Sequence, residues 1–449
     1  MAAQNSPLSL SPENSHYIQF RGKPTILLGS TEHYGAVLNS DFDYVRYLDA
    51  VRDSGLNLTR IFSGAYVEPD GAFNIVRNTL APVSGKFIAP WARSDTPGYA
   101  NGRNKFDLMR WNDAYFARLH DFVAAASSRG IVIEIVLFCP YYEEPQWSLS
   151  PLNVKNNVNG AGDLPRTSAN TLDNGKLLEV QDAMVRKFAA ELKSFDNIYY
   201  EICNEPYFGG VTIDWQMHIA QTLADAETAL GVRHLIAQNI ANKSKRITQP
   251  SPLVSIFNFH YATPPDAVTQ NFGLNKVIAD DETGFKGTGD AIYRMEAWDF
   301  FLAGGGIFDH LDYSFTAGHE DGSFMPLPAK QPGGGGPELR KQFRILKDFL
   351  SGMNFTRMKP DETLIRSTLS KEMTARVLAE QGKTYAIYMR GTGLNQLDLK
   401  LPPGSYRVQW IDTRKGPAEK MDAVTATDAN VNLVLPKYEQ DIAIRIDRS

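Results

Sequence analysis

The chain is poor in cysteine, in long apolar runs and in surplus charge, and each shortage removes a class of protein. Only Cys139 and Cys203 occur among 449 residues, too few for a disulfide framework. No Cys/His cluster has metal-ligand spacing, so neither a metal nor any other cofactor is expected. The longest apolar run, 131–138, is interrupted by Glu134 and falls well short of the ~18 residues of a membrane span. Residues 1–15 are polar and carry no signal-peptide apolar core. With 46 basic against 51 acidic residues, the chain lacks the concentrated Lys and Arg of a nucleic-acid surface or a polybasic membrane patch. Neither nucleic acid nor membrane is expected as a partner, and a sugar or other neutral small molecule suits this balance better.

What is present is an alternation. Up to about residue 350, short β-branched or apolar runs alternate with longer amphipathic stretches, the pattern of repeated βα units. Eight strands are expected at 24–29, 56–62, 131–138, 198–203, 234–238, 254–259, 276–280 and 306–311. Helices are expected at 41–54, 112–129, 177–194, 214–230, 290–303 and 337–352, with Asp41 as a start signal and Gly130, Gly231 and Gly304 as stops. Eight continuous apolar strands alternating with helices predict an α/β protein built on a (β/α)8 TIM barrel, whose parallel sheet is buried on both faces.

From about residue 354 the pattern turns to short alternating segments, at 375–379, 384–390, 396–401, 405–412, 431–435 and 441–446. That predicts a barrel over 1–352, including an N-terminal strand segment, and a small C-terminal antiparallel β-sandwich over 353–449, with Trp410 on a central strand. Two long stretches, 64–110 and 141–175, follow the second and third strands. Loops after barrel strands build substrate sites, and these carry Tyr66, Trp91, Tyr99, Tyr141, Tyr142 and Trp147, with Trp111 beside them. Such rings either form sugar platforms or fill the loops' own cores. The run 332–337 lacks the Lys-Ser/Thr of a phosphate loop and reads as a mobile turn at the rim.

The stretch Ile202-Cys-Asn-Glu-Pro-Tyr207 places Asn204 and Glu205 just past the end of the fourth strand, where Pro206 stops the ladder. A carboxylate lifted to the rim can meet a substrate, and the adjacent amide can bond a hydroxyl. The seventh strand runs into Asp280-Asp-Glu-Thr283, with Glu282 as the candidate partner carboxylate. Period-two alternation sets Asp280 on the same side as Glu282 and Asp281 opposite, which makes Asp280 the rival.

An Asn-Glu pair after the fourth strand and a Glu ending the seventh resemble the clan A glycoside hydrolases, family 5 cellulase-like enzymes in particular. The segments Gln19-Phe-Arg-Gly-Lys-Pro-Thr25 and Gln409-Trp-Ile-Asp-Thr-Arg-Lys-Gly416 also look like bacterial apiosidase-like and cellulase-like proteins, in which a barrel precedes a small sandwich. The resemblance implies that Glu205 is the general acid/base, Glu282 the nucleophile and Asn204 a substrate contact. It also implies that Arg60, on the second strand, keeps the nucleophile charged; an ion pair with Glu134 inside the barrel is the alternative. His260 and Tyr261 end the sixth strand, where such enzymes place residues that bond the nucleophile or a substrate hydroxyl. His33 and Asn239 are rim candidates by position. The tryptophan expected under the sugar at the eighth strand is missing; Asp309, His310, Asp312 and Tyr313 stand there, with Asp312 a candidate for hydroxyl binding.

The expectation is therefore a retaining O-glycoside hydrolase acting on an oligosaccharide, polysaccharide or other glycoside of plant or microbial origin. A location outside the cytoplasm, secreted or periplasmic, is favoured by where polymeric glycans lie, with the cytoplasm as the alternative. The alternatives are a carbohydrate-binding protein on a barrel scaffold and a transglycosylase using the same carboxylates.

Overall fold

The computed structural model describes residues 6–449. Eight parallel strands form its central sheet: β1 Leu27–Thr31, β2 Leu58–Phe62, β3 Val132–Phe138, β4 Ile198–Cys203, β5 Ile236–Asn242, β6 Ile256–His260, β7 Val277–Thr283 and β8 Ile307–Leu311. Their order is β1-β8-β7-β6-β5-β4-β3-β2. Between β1 and β2 the barrel is closed by Asn57. Its N–H donates to Leu28 O (3.2 Å), its Oδ1 accepts from Leu28 N (3.0 Å) and its Nδ2 donates to Ile26 O (3.0 Å). One asparagine thus supplies the ladder bonds that the two strands do not make directly.

Helices follow the strands as expected. Tyr44–Asp53, Asp113–Ser128, Leu177–Leu192, Ile213–Leu230, Asp290–Leu302 and Pro337–Ser351 lie within two or three residues of their predicted ends, and a short helix, Asp266–Asn271, is added after β6. The first helix is capped by Asp43, not Asp41; the Asp43 carboxylate accepts from the N–H groups of Val45 (3.1 Å) and Arg46 (3.2 Å). Gly231 ends its helix at φ 71°, as a left-handed stop requires.

The N-terminal segment folds into a three-stranded antiparallel sheet, Ser9–Leu10, Ile18–Phe20 and Lys23–Thr25, under the barrel. Its Leu8 and Ile18 join Leu27, Leu58, Val132, Ala237, Ile256, Val277 and Ile307 in a solvent-free apolar floor.

The C-terminal region is a β-sandwich. A six-stranded sheet, including Thr374–Glu380, Thr384–Arg390, Asp441–Arg448, Gly404–Asp412 and Gly416–Ala426 in that order, faces the pair Gln396–Lys400 and Asn430–Val434. The strand Gly416–Ala426 was not expected from its mixed polar sequence. The sandwich is fixed to the barrel helix Asp290–Leu302. Arg294 pairs with Asp441 (2.7 Å), and Trp298 stacks on Tyr388 at 5.5 Å.

The run 332–337 is not a mobile rim turn. A Cβ at Gly333 would lie 1.7 Å from Gly284 O, and one at Gly335 would lie 2.0 Å from Asp312 Oδ1, so glycine lets this segment pack directly on the loops after β7 and β8.

Candidate active site

Four residues just past barrel strands lie at positive φ, Tyr34 (61°) after β1, Glu205 (36°) after β4, Lys243 (66°) after β5 and Tyr261 (54°) after β6, and three of them, Tyr34, Glu205 and Tyr261, line one cavity. Non-glycine residues hold this conformation only where the surroundings dictate it, and such strain gathers at functional sites. Here those three converge. Tyr261 donates to Glu282 Oε1 (2.6 Å), and Tyr34 donates to Glu282 Oε2 (3.0 Å).

Glu205 and Glu282 are 8% and 7% exposed, and both line one cavity of about 260 Å³. With His260 they bring one ligand atom each within 4.8 Å of the others. Arg60 Nη1 donates to Glu282 Oε2 (3.2 Å), so Glu282 accepts from one guanidinium and two phenols. Glu205 accepts from Tyr142 (2.7 Å) and shares the Tyr207 hydroxyl (3.1 Å) with Asn242 (2.5 Å); His260 Nδ1 lies 3.3 Å from it. Burial pushes the Glu205 carboxyl up, but His260, Tyr142 and Tyr207 outweigh it and hold the group below its ordinary value. Burial and the neighbouring carboxylates keep all four tyrosines protonated, as donors.

Asn204 ties the two carboxylates together. Its Oδ1 accepts from Arg60 Nη2 (2.9 Å) and its Nδ2 donates to the Tyr142 hydroxyl (2.9 Å), which in turn donates to Glu205. Asn239 takes no place in the cavity lining. Its Nδ2 lies 2.5 Å from His260 Nε2, while His260 Nδ1 faces Glu205 (3.3 Å) and Glu282 (3.6 Å). Asn239 thus meets His260 and not the cavity, although its rim position suggested a substrate contact.

Beneath the pair lies a solvent-free polar layer. Arg60 reaches Glu201 (2.7 Å), Asp281 (3.3 Å) and Glu134 (3.5 Å) as well as Glu282, so it contacts both of the carboxyl groups considered for it from sequence. Asn258 Nδ2 faces Glu134 (2.7 Å), Asp281 (2.7 Å) and Glu201 (3.0 Å). Burial pushes Glu134 and Asp281 far above the carboxylate range. For Glu201 burial acts the same way, but Arg60 overrides it and holds the group below its usual value. The surroundings therefore favour the protonated form of Glu134 and Asp281 and the ionised form of Glu201. Glu134, Glu201 and Asp281 have the mutual spacing of a metal site, yet they converge on N–H donors of Asn258 and Arg60, which stand where a cation would need to sit.

The Asp280 alternative fails for a structural reason. The β6–β7 and β7–β8 ladders both shift register around Asp280 to Thr283, so a bulge breaks the period-two alternation. Asp281 and Glu282 both reach the barrel interior, whereas Asp280 turns away and accepts from Ala262 N (3.2 Å).

Of the other expected contacts, His33 and Tyr261 line the cavity. Trp91 does not: it is 0% exposed within the hairpin Trp91–Pro97 and Asn104–Trp111, elements hidden in what sequence suggested was loop. Tyr66, Tyr99, Tyr141 and Trp147 are likewise buried, and of the loop aromatics singled out from sequence only Tyr142 reaches this cavity. Asp312 is also absent from that lining, because it is 1% exposed and paired with Arg340 (2.5 Å). Sequence reasoning missed Tyr34, Glu68, Phe73, Phe208 and Phe285, all of which line the cavity. Phe73 and Phe208 are 40% and 44% exposed; Phe73 stands edge-on to Tyr142 at 5.4 Å and Phe208 is tilted against it at 5.7 Å. Tyr34 follows the rim candidate His33, Phe208 lies two residues beyond the Glu-Pro pair and Phe285 three beyond Glu282, whereas Glu68 and Phe73 had no sequence signal nearby.

No family model matches the chain, and no curated protein matches its sequence. Solved structures do match in shape. One, a Bacteroides vulgatus protein provisionally assigned as a glycoside hydrolase, has a TM-score of 0.71 at 15% identity over 100% of this chain and 83% of its own. The fold is that of solved glycoside hydrolases. A glycoside hydrolase family 5 structure from the same organism gives 0.64 at 14% identity, covering 98% of this chain and 94% of that one. An endo-beta-1,4-mannanase from Thermotoga petrophila gives 0.51 at 14% identity, covering 94% and 95%. At such identities the likeness is one of fold, and the chemistry rests on the site itself.

Proposed function

We propose that the protein is a retaining glycoside hydrolase acting on an oligosaccharide, polysaccharide or other glycoside, with Glu282 as nucleophile and Glu205 as acid/base. The observation that carries this reading is the pair of carboxylates at the ends of β4 and β7, one oxygen of each lying within 4.8 Å of the other. Retaining enzymes hold their carboxyl groups about 5 to 5.5 Å apart, whereas inverting ones need room for a water between them. Ligand atoms within 4.8 Å accord with the first arrangement.

In the first step a Glu282 oxygen bonds to the anomeric carbon as the glycosidic C–O bond breaks, and the departing oxygen takes the proton of Glu205. In the second, water gives a proton to Glu205 and its oxygen bonds to the anomeric carbon, releasing Glu282. Arg60, Tyr34 and Tyr261 supply the donors that orient Glu282 for attack. The donors around Glu205 favour its ionised form, which suits the second step. The first step requires Glu205 protonated, so turnover of glycosides with poor leaving groups should rise as pH falls towards the carboxyl range, while activated aryl glycosides should change less.

The test is hydrolysis of a panel of aryl glycosides and polysaccharides by wild type, Glu205→Ala and Glu282→Ala. We expect Glu282→Ala to abolish turnover of every substrate. Glu205→Ala should slow poor leaving groups by ~10²- to 10⁴-fold and activated ones far less. Near-normal turnover by Glu282→Ala would refute the assignment.

A further inference from the structure

Glu68, from the loop after β2, takes no part in the steps above, yet it lines the catalytic cavity together with Glu205 and Glu282. It also lines a neighbouring cavity of about 910 Å³ and so stands at the junction of the two. Its carboxylate is 5% exposed and held in place: Asn78 donates to Oε2 (2.5 Å) and Tyr66 to Oε1 (3.2 Å), and His33 Nε2 lies 3.5 Å away. Burial opposes protonation of His33, but Glu68, Glu282 and Glu32 outweigh it and favour the imidazolium. Each carboxylate oxygen offers two acceptor sites, so Glu68 keeps capacity for hydroxyl donors.

The charge inventory of the catalytic cavity narrows what those donors belong to. Three carboxylates line it and neither lysine nor arginine does. Arg60 lies beneath, fully buried and engaged with Glu201, Asn204 and Glu282. A sugar carboxylate would become a fourth anion there, and the His33 imidazolium in the lining is already held beside Glu68, whereas sugar hydroxyls would find an oriented acceptor.

We propose that Glu68, steadied by His33 and Asn78, is the specificity residue that accepts hydroxyls of the sugar residue bound beside Glu282, and that this pocket takes uncharged sugars and rejects uronic acids. The inference rests on the two-glutamate reading for which sugar the pocket holds, and binding tests it separately from turnover. D-glucose, D-galactose, D-mannose and D-xylose, with D-glucuronate and D-galacturonate, are titrated calorimetrically into wild type, Glu68→Gln and His33→Gln, with thermal midpoints recorded for each. The expected result is that at least one neutral sugar binds wild type at least tenfold tighter than either uronate. Glu68→Gln should weaken that sugar tenfold or more and narrow its margin over the uronates, with His33→Gln following in the same direction. On whichever aryl glycoside is hydrolysed, Glu68→Gln should raise KM more than it lowers kcat. Uronates binding as tightly as neutral sugars, no binding of any neutral sugar, or unchanged neutral-sugar affinity in both folded variants would overturn the proposal. Glu282→Ala retaining turnover would instead refute the two-glutamate mechanism while leaving the binding result standing.

Discussion

The two ends of the barrel interior are built on opposite principles. The floor is a dry apolar layer in which Leu27, Leu58, Val132, Ile256, Val277 and Ile307 meet Leu8 and Ile18. The layer under the rim is just as dry but holds Arg60, Glu134, Glu201, Asn258, His260 and Asp281, all 0% exposed. Apolar burial stabilises without geometric demands, whereas buried charges carry a desolvation cost that only well-placed partners offset. The contrast assigns stability to the floor and site geometry to the upper layer, where one guanidinium orients Glu282 and, through Asn204 and Tyr142, reaches Glu205.

Substitutions can break this division. Arg60→Met should have the largest effect on stability, about 3 to 5 kcal/mol, because it strands buried carboxylates rather than merely losing a contact. Turnover should vanish with it, and denaturant melts alongside kinetics check both. Ile256→Ala in the floor should cost about 2 to 5 kcal/mol through its cavity, while kcat and KM of the folded fraction stay near wild type. If Ile256→Ala instead altered KM or kcat, the two layers would not be separable.

A titration sharpens the same comparison. Glu32 is fully buried on the upper side, where it accepts from Thr79 and the N–H groups of Gly35 and Ala36 (both 2.9 Å), and burial pushes it up to about 7. The folded chain therefore binds more protons than the unfolded one between about pH 4.5 and 7. Stability should fall as pH rises through that window and level off above it, by about 3 kcal/mol for this group. Glu32→Gln should flatten that slope in pH-dependent melts, whereas Ile256→Ala should lower stability equally at every pH. Trp91→Phe should do least to activity, leaving kinetics unchanged because Trp91 does not line the cavity, and should cost about 1 to 3 kcal/mol through the gap it leaves in the core.

Periodicity made the barrel legible. β4 runs over the residues its apolar pattern marks, and the Asn-Glu-Pro signal stands at its end. The candidate pair was legible for the same reason, since a turn signal at a strand end is local information. What stayed hidden depends on contacts between distant segments. The bulge at Asp280 to Thr283 reversed the alternation that had favoured Asp280, and it arises from register with β6 and β8. Tyr34 and Glu68 come from irregular loops with no period to reveal their direction. Trp91 looked like a rim ring because its hairpin partner strand, Asn104–Trp111, mixes charged and apolar residues without clean alternation. Asp312 looked available because Arg340, its partner, lies 28 positions away on the last barrel helix.

The most direct test of the account is trapping the covalent intermediate. A 2-deoxy-2-fluoro glycoside with an activated leaving group, in the sugar configuration that the protein hydrolyses, is incubated with wild type, and the digested protein is analysed by mass spectrometry. The account predicts one added sugar, on Glu282, released slowly by water. A label on Asp280 or Asp281, or no label together with an inverted anomeric product by proton NMR, would contradict it.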